Sequence, residues 1–415
     1  VTHAEKSLAL ADAAPLRGRG AYREAASLAA VEFVPDVAAL APAWDRLVAA
    51  GGATPYQARA YVSAWADHAG AAEGSRLAAL AFMGERQRLV MILPLALGRL
   101  GPLRVARYPG GKHANFNMPI VDPAAAAPDP ATLRRLLVEG GRKAGVDLFD
   151  LRNQPAVFEG RRNPFAPLAS RPSPSFAMKT RLACDPDAMI EARLSADARS
   201  KLRRKEKKLA ALGPLRYFRA DDAATARRVL DVFLAHKRAR LAQAGIPDAF
   251  AEPGIEAFLR EAACAAFARG ETPPLRLYAL TAGDRIVATY GGLHDRQRFC
   301  GLFTAFDGSE DVYRWSPGDH LLLWLIRSLC EQGLRTFDLG VGEARYKSAY
   351  CDEVDPLFDC TLPVTLAGTI AAGAVAAAAR TKRAVKQDER LMGMIAAARR
   401  WRARSATRVD RQAGD

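Results

Sequence analysis

The residues of this chain best suited to chemistry gather near the end of the stretch from Arg298 to Tyr350. Asp338 closes a Phe337-Asp338-Leu339 run, Glu343 follows in a Gly-flanked loop, and Tyr346 and Lys347 stand side by side. A carboxylate can take a proton and a phenol can give one, while an ammonium can hold an anion or polarise a carbonyl. Upstream, Ser316-Pro317-Gly318 reads as a helix start: serine can cap and proline suits the first turn. Free backbone N–H groups and the positive end of the helix dipole make such a terminus a candidate for phosphate or pyrophosphate.

These residues need elements to hold them. Arg298 to Phe306 is an apolar, β-prone run. Leu321, Leu322, Leu325, Ile326 and Leu329 recur at helical spacing after Ser316, Gly333 can end that helix, and Arg335 to Leu339 reads as a buried strand. The same order occurs earlier. Strand (Val31 to Val34), helices (Val37 to Ala49, Ala58 to His68), hairpin (Arg76 to Leu97), strand (Leu103 to Arg107), helix (Ala131 to Ala144) and strand (Val146 to Leu151) are followed by a second series. That series is strand (Leu215 to Arg219), helices (Ala223 to Gln243, Pro253 to Ala268), hairpin (Leu275 to Leu293) and then the stretch above. Gly145-Val146-Asp147-Leu148-Phe149-Asp150-Leu151 matches Gly333-Leu334-Arg335-Thr336-Phe337-Asp338-Leu339. Repeated element order and a repeated end motif point to a duplicated α/β unit with mixed sheets and flanking helices. The copies differ at the helix start. The first has Pro128-Asp129-Pro130, and an aspartate there repels an anion, so the second copy is the expected binding one.

With 415 residues, half of them hydrophobic, the chain has room for two or three domains with ample cores. The net charge of +15 is local. Residues 193–219 hold ten Lys/Arg against Asp197 and Glu206, and residues 361–415 hold eleven against four acids, which leaves the rest near neutral. Lys201 to Lys208 reads as a helix whose basic face is either solvated or set against an anionic acceptor, nucleic acid or lipid. Cys184, Cys264, Cys300, Cys330, Cys351 and Cys360 show no metal-ligand spacing and sit mostly in apolar runs, so no metal and a cytoplasmic setting are expected. Residues 1–28 read as a flexible start, and the uncharged stretch Leu362 to Ala379 is too rich in Ala and Gly to make a strong membrane span. Lys382 to Arg411 reads as a basic amphipathic helix with Leu391, Met392, Met394, Ile395 and Trp401, suited to the inner face of a membrane or a partner.

Taken in order, Ala235-His236-Lys237-Arg238-Ala239-Arg240, Ser316-Pro317-Gly318, Phe337-Asp338-Leu339-Gly340 and Gly342-Glu343 through Tyr346-Lys347 resemble a known family. The chain looks like the BioF2-like, cellulose-biosynthesis-associated (CelD-like) branch of the GNAT acyltransferase superfamily over about residues 30–362, and its tandem layout resembles the Fem-type aminoacyl transferases. The resemblance implies two GNAT-like domains, a degenerate one over 29–175 and an acyltransferase over 176–362, with a basic helical tail over 363–415. It implies acetyl-CoA or acyl-CoA as donor, with the pyrophosphate on Gly318, Asp319 and His320, Ser316 as the cap, and Arg314 in the preceding loop. The thioester would lie where the fourth and fifth strands splay, with Asp338, Glu343, Tyr346 and Lys347 as candidates for proton transfer and carbonyl polarisation. His236 and Arg240, four apart on one helical face, and the polar loop Tyr108 to Asn117, with Tyr108 and Asn115, are candidates for the acceptor. The acceptor implied is a small or carbohydrate-linked amine in polysaccharide or envelope synthesis. A transferase using aminoacyl-tRNA and a non-catalytic assembly partner are the alternatives.

Overall fold

A computed structural model describes residues 28–387 apart from 184, 343 and 344. The expectations for the first 27 residues, for Cys184, for Glu343 and for the tail beyond Gln387 lie outside the described residues. The first half runs β1 (Ala30–Val34), α1 (Ala41–Ala49), α2 (Arg59–Trp65), β2 (Arg76–Met83), β3 (Leu89–Leu100), β4 (Leu103–Arg107), β5 (Ile120–Val121), α3 (Pro130–Lys143) and β6 (Leu148–Pro155). A small ribbon, β7 (Val157–Phe158) and β8 (Arg161–Arg162), leads to β9 (Arg171–Arg181). The second half runs α4 (Pro186–Arg193), α5 (Ala196–Leu209), β10 (Leu215–Arg219), α6 (Ala223–Gln243), α7 (Ile255–Cys264), β11 (Leu275–Ala282), β12 (Arg285–His294) and β13 (Arg298–Phe306). It continues through α8 (Glu310–Tyr313), α9 (Pro317–Glu331), β14 (Thr336–Val341), α10 (Arg345–Tyr350) and β15 (Glu353–Pro363), and α11 (Leu366–Gln387) follows.

Local chemistry accounts for the helices that position the site. The Asp222 carboxylate accepts the N–H of Thr225 at 2.8 Å and starts α6, which buries Ala226, Val229, Leu230, Phe233 and Leu234 along one stripe. In α9 the expected apolar positions are the buried ones, and Gly333, at φ 75°, ends it as Gly145, at φ 67°, ends α3.

All but the small ribbon join one mixed sheet of thirteen strands. Its order, β1-β2-β3-β4-β6-β15-β9-β14-β13-β12-β11-β10, with β5 beside β3, reads the same from either end. In each half, three antiparallel pairings are followed by one parallel pair, β4 with β6 and β13 with β14. The next strand then comes from the other half. β9 closes the first half in sequence but pairs with β14, and β15 closes the second half but pairs with β6. The two exchanged strands meet at the centre, Asp355 opposite Ala177. The mixed α/β class is therefore observed as expected, as two halves of matching strand order. The 175/176 divide falls inside β9.

The halves also share apolar packing. Tyr61 of α2 meets Phe258 of α7 edge to face at 5.0 Å, both fully buried. Each such ring contributes about 1.5–3 kcal/mol relative to exposure. α11 packs Ala371 on Val105 and Leu148 and leaves Leu366 and Ile370 exposed. Among the described residues, no helix is long and apolar enough to cross a membrane.

Candidate active site

The site begins where β13 and β14 part. They pair only through Arg298–Thr336, Phe299–Phe337 and Cys300–Asp338. Beyond that, β14 bulges: its register against β9 shifts between Asp338 and Val341. One Asp338 carboxylate oxygen accepts the Gly340 N–H at 2.7 Å, which fixes the turn, and Gly340 takes φ 82°. A Cβ at Gly340 would stand 2.7 Å from both Asn115 Nδ2 and the Gly301 carbonyl, so the turn requires glycine. Lys347, on α10, donates to the carbonyls of Gly340, Val341 and Gly342, each at 3.1 Å. Three donors meet three acceptors, so the ammonium is fully matched by the bulge. From the first half, Asn115 donates to the Gly301 carbonyl at 2.8 Å and to the Tyr56 hydroxyl at 2.6 Å.

Beneath the fork lies a buried charged network. Arg298 donates to Glu159 at 2.7 Å and to Asp338 at 3.3 Å, and its guanidinium lies 4.6 Å from the centre of the Phe158 ring. Burial pushes the Asp338 carboxyl up to about 6, against the opposing pull of Arg298 and the Gly340 N–H. Burial lowers the Lys347 ammonium, with Asp338 acting the other way, and raises the Cys300 thiol.

The matching fork in the first half is closed. Counting along the parallel pairs, Asp150 stands where Asp338 does, Arg107 where Cys300 does, and Tyr108 where Gly301 does. Tyr108 fills the fork and donates to Gln154 at 3.0 Å, and Asp150 pairs with Arg152 at 2.7 Å. At the start of α3, Asp129 accepts the Thr132 N–H at 2.8 Å, so that terminus is occupied by its own cap.

In the second half two cavities lie side by side along a groove. A cavity of about 550 Å³ lies at the start of α9, lined by Ser316, Pro317, Gly318, Asp319, Tyr313, Phe306 and Leu322. A cavity of about 400 Å³ lies in the fork, lined by Asn115, Lys237, Gly301, Leu302, Phe303, Leu339, Gly340, Val341, Gly342 and Lys347 among others. Both are lined by Arg240, Tyr290 and Thr304, so the two adjoin.

Several expected residues sit elsewhere. Ser316 does not cap α9 with its side chain: its backbone is left-handed, at φ 54°, and its hydroxyl accepts from Lys205 at 2.9 Å. The N–H groups of Asp319 and His320 turn onto the Ser316 carbonyl at 3.1 and 3.3 Å, which leaves the Gly318 N–H as the donor facing the groove. The Asp319 carboxyl lines the groove, raised by burial. The His320 ring is buried behind α9, with Nε2 2.9 Å from the Trp315 carbonyl, and burial lowers its pKa. Arg314 is exposed, 4.8 Å from the Trp315 ring centre. Arg240 lines the groove, but His236 on the same helix turns away, 3.9 Å from Asp307. Tyr108 is a core residue of the first half, because the closed fork uses it; Asn115, from the same loop, lines the open fork. Asp338 is fully buried beneath the cavity wall and holds it in shape, whereas Lys347 is part of the wall. The backbone of Tyr346 lies on α10, and Glu343 is outside the described residues. Among the described residues, no cluster of His, Cys, Asp or Glu is arranged to hold a metal ion. Sequence reading missed Lys237, Tyr290 and Thr304. Lys237 had a usable signal: it precedes Arg240 by three, so the two share a helical face.

Residues 196–348 match the model of the acetyltransferase (GNAT) domain family. That stretch, from α5 into α10, therefore resembles this family in sequence. A conserved protein of unknown function from Bacteroides thetaiotaomicron shares the fold at 13% identity over 80% of this chain and 99% of its own, with a TM-score of 0.51. Other similar structures are FemX, at 12% identity over 74% and 95% with a TM-score of 0.48, and a tandem GNAT protein from the clavulanic acid biosynthesis pathway, at 14% over 81% and 99% with a TM-score of 0.44. No curated protein matches the chain in sequence.

Proposed function

We propose that this protein is an acyl-CoA-dependent N-acyltransferase whose chemistry takes place in the second half. The observation that carries the reading is the pair of adjoining cavities that lead from Gly318 at the start of α9 to the β13/β14 fork. Its form suits an elongated donor: phosphate at the helix start, pantetheine along the fork, thioester at its floor. The pantetheine amides would pair with the parted strand edges as an added strand does. The acceptor amine attacks the thioester carbon, the C–S bond breaks, the amine loses its proton, and the thiolate takes one up. By sequence position, Tyr346 is assigned as acid for the thiolate and Glu343 as base. Lys347 holds the bulge that shapes the fork, and Asp338 braces it. The acceptor is a small or carbohydrate-linked amine, and the CelD-like resemblance favours polysaccharide or envelope synthesis at the inner face of the membrane, with the basic tail as the contact.

A second reading, a carrier of tRNA type, is favoured by one feature: Lys205 of basic α5 reaches Ser316 at the mouth of the groove. A titration of acetyl-CoA, longer acyl-CoA and aminoacyl-tRNA against the full chain separates the two. Saturable acyl-CoA protection from thermal unfolding supports the first. Protection by aminoacyl-tRNA alone, lost with salt, supports the second.

A further inference from the structure

Four cations stand around the groove, and their partners differ. Lys347 is matched by three carbonyls and Lys205 by Ser316. Lys237 and Arg240 both line the fork cavity from α6, yet among the described residues neither forms a salt bridge; the Asp248 carboxylate acts on Lys237 only from beyond salt-bridge distance. Lys237 is half-buried, with Nζ 5.7 Å from the centre of the Phe250 ring, and Arg240 lies 5.0 Å from that of Phe306. Among the described residues, no Asp or Glu lines this cavity. A half-buried ammonium without a salt-bridge partner is costly, and burial and then Arg240 lower the Lys237 pKa, against a smaller opposing pull from Asp248. An anion bound there would relieve that cost.

From this arrangement, and resting on the acyltransferase reading, we infer that the acceptor is an amine that also carries an anionic group, a carboxylate or a phosphate, held by Lys237 and Arg240. The same cations serve the reaction in a second way. They disfavour a further positive charge, so an incoming ammonium gives up its proton more readily and arrives as the free nucleophile. Lys237 belongs to the fork alone, while Arg240 is shared with the donor end of the groove, so Lys237 is the cleaner determinant of acceptor choice.

The test uses the full chain saturated with acetyl-CoA and matched acceptor pairs: glycine against glycinamide, 2-aminoethyl phosphate against ethanolamine, and spermidine alone. Release of the CoA thiol is measured, and thermal protection beyond that of acetyl-CoA is measured in parallel. Expected are at least tenfold higher kcat/KM, or added protection, for an anionic member over its neutral match, with the carboxylate and phosphate pairs telling the two sources apart. Lys237→Met raises KM for the anionic acceptor at least tenfold with kcat largely kept, Lys237→Arg restores it, and Lys237→Glu shifts preference toward spermidine. Equal use of both members of each pair, a wild-type preference for spermidine, or neither turnover nor added protection with any anionic amine overturns the inference. Absence of acetyl-CoA binding overturns the acyltransferase reading itself, which the protection by acetyl-CoA alone reports separately.

Discussion

Asn115 of the first half donates its side-chain amide to the Gly301 carbonyl of the second half at 2.8 Å, at the point where β13 leaves β14. The copy whose own fork is filled by Tyr108 thus supplies a brace for the fork that stays open. Asn115→Ala removes that bond and the one to the Tyr56 hydroxyl, which is fully buried. The expected cost is about 1–3 kcal/mol in urea unfolding. A loss of acyl-CoA affinity of about tenfold should accompany it, read by calorimetry. Affinity equal to wild type would show that the fork does not depend on the first half.

Lys347→Met tests whether the ammonium shapes the site. Its loss leaves three carbonyls at the bulge without their donor. With about 1–3 kcal/mol for each buried group left unmatched, and partial relaxation, a destabilisation of ~3 kcal/mol is expected by denaturant titration. Acyl-CoA binding and turnover should fall together. A variant that keeps its stability and binds acyl-CoA normally would mean the bulge holds itself.

Asp338 gives a pH test with a definite sign. Its carboxyl lies near 6 in the folded protein, above its ordinary value of 3.8. The folded state therefore holds its proton more tightly, and this residue's contribution to stability is complete below pH ~4 and lost as pH rises through ~6. Asp338→Asn keeps an oxygen for the Gly340 N–H but cannot ionise. Relative to wild type, the variant should gain stability between pH 4 and 7, on the order of 3 kcal/mol. Urea unfolding across that window measures it. A difference that is constant with pH, or that moves the other way, contradicts the placement of the charge.

Two glycines separate strain from collision. Gly340 and Gly342 both have left-handed backbones, at φ 82° and φ 93°. A Cβ at Gly342 meets nothing within 4 Å, whereas one at Gly340 collides with Asn115 and Gly301. Gly342→Ala is expected to cost about 1 kcal/mol, and Gly340→Ala clearly more, with loss of acyl-CoA binding. Equal costs by thermal unfolding would count against the close approach.

The repeat was legible because its signals are local. Phe149-Asp150-Leu151 and Phe337-Asp338-Leu339 do occupy equivalent strands, after helices ended by Gly145 and Gly333. The two central strands were not legible. β9 carries Pro172 and Pro174, and β15 carries Pro356 and Pro363, and proline within a run argues against an interior strand. Here β15 tolerates Pro356 beside a register shift, between Pro356 and Phe358. Their exchange between halves is a non-local pairing that no local pattern encodes. At the site, spacing put His236 and Arg240 on one helical face, but which residue of α6 meets the fork depends on how the helix packs on the sheet. That packing turns Lys237 in and His236 toward Asp307. Ser316 was read as a cap from its type alone, and its left-handed backbone sends the hydroxyl to Lys205 instead.

Calorimetric titration of the full chain with acetyl-CoA and a long-chain acyl-CoA, for wild type and Gly340→Ala, bears most directly on the second half as a donor-binding fork. One saturable site in wild type, abolished by the substitution, is the expected result, with thermal protection of about 2.7 kcal/mol at a hundredfold excess over Kd. No binding of either thioester to wild type, or equal binding to both proteins, would contradict it.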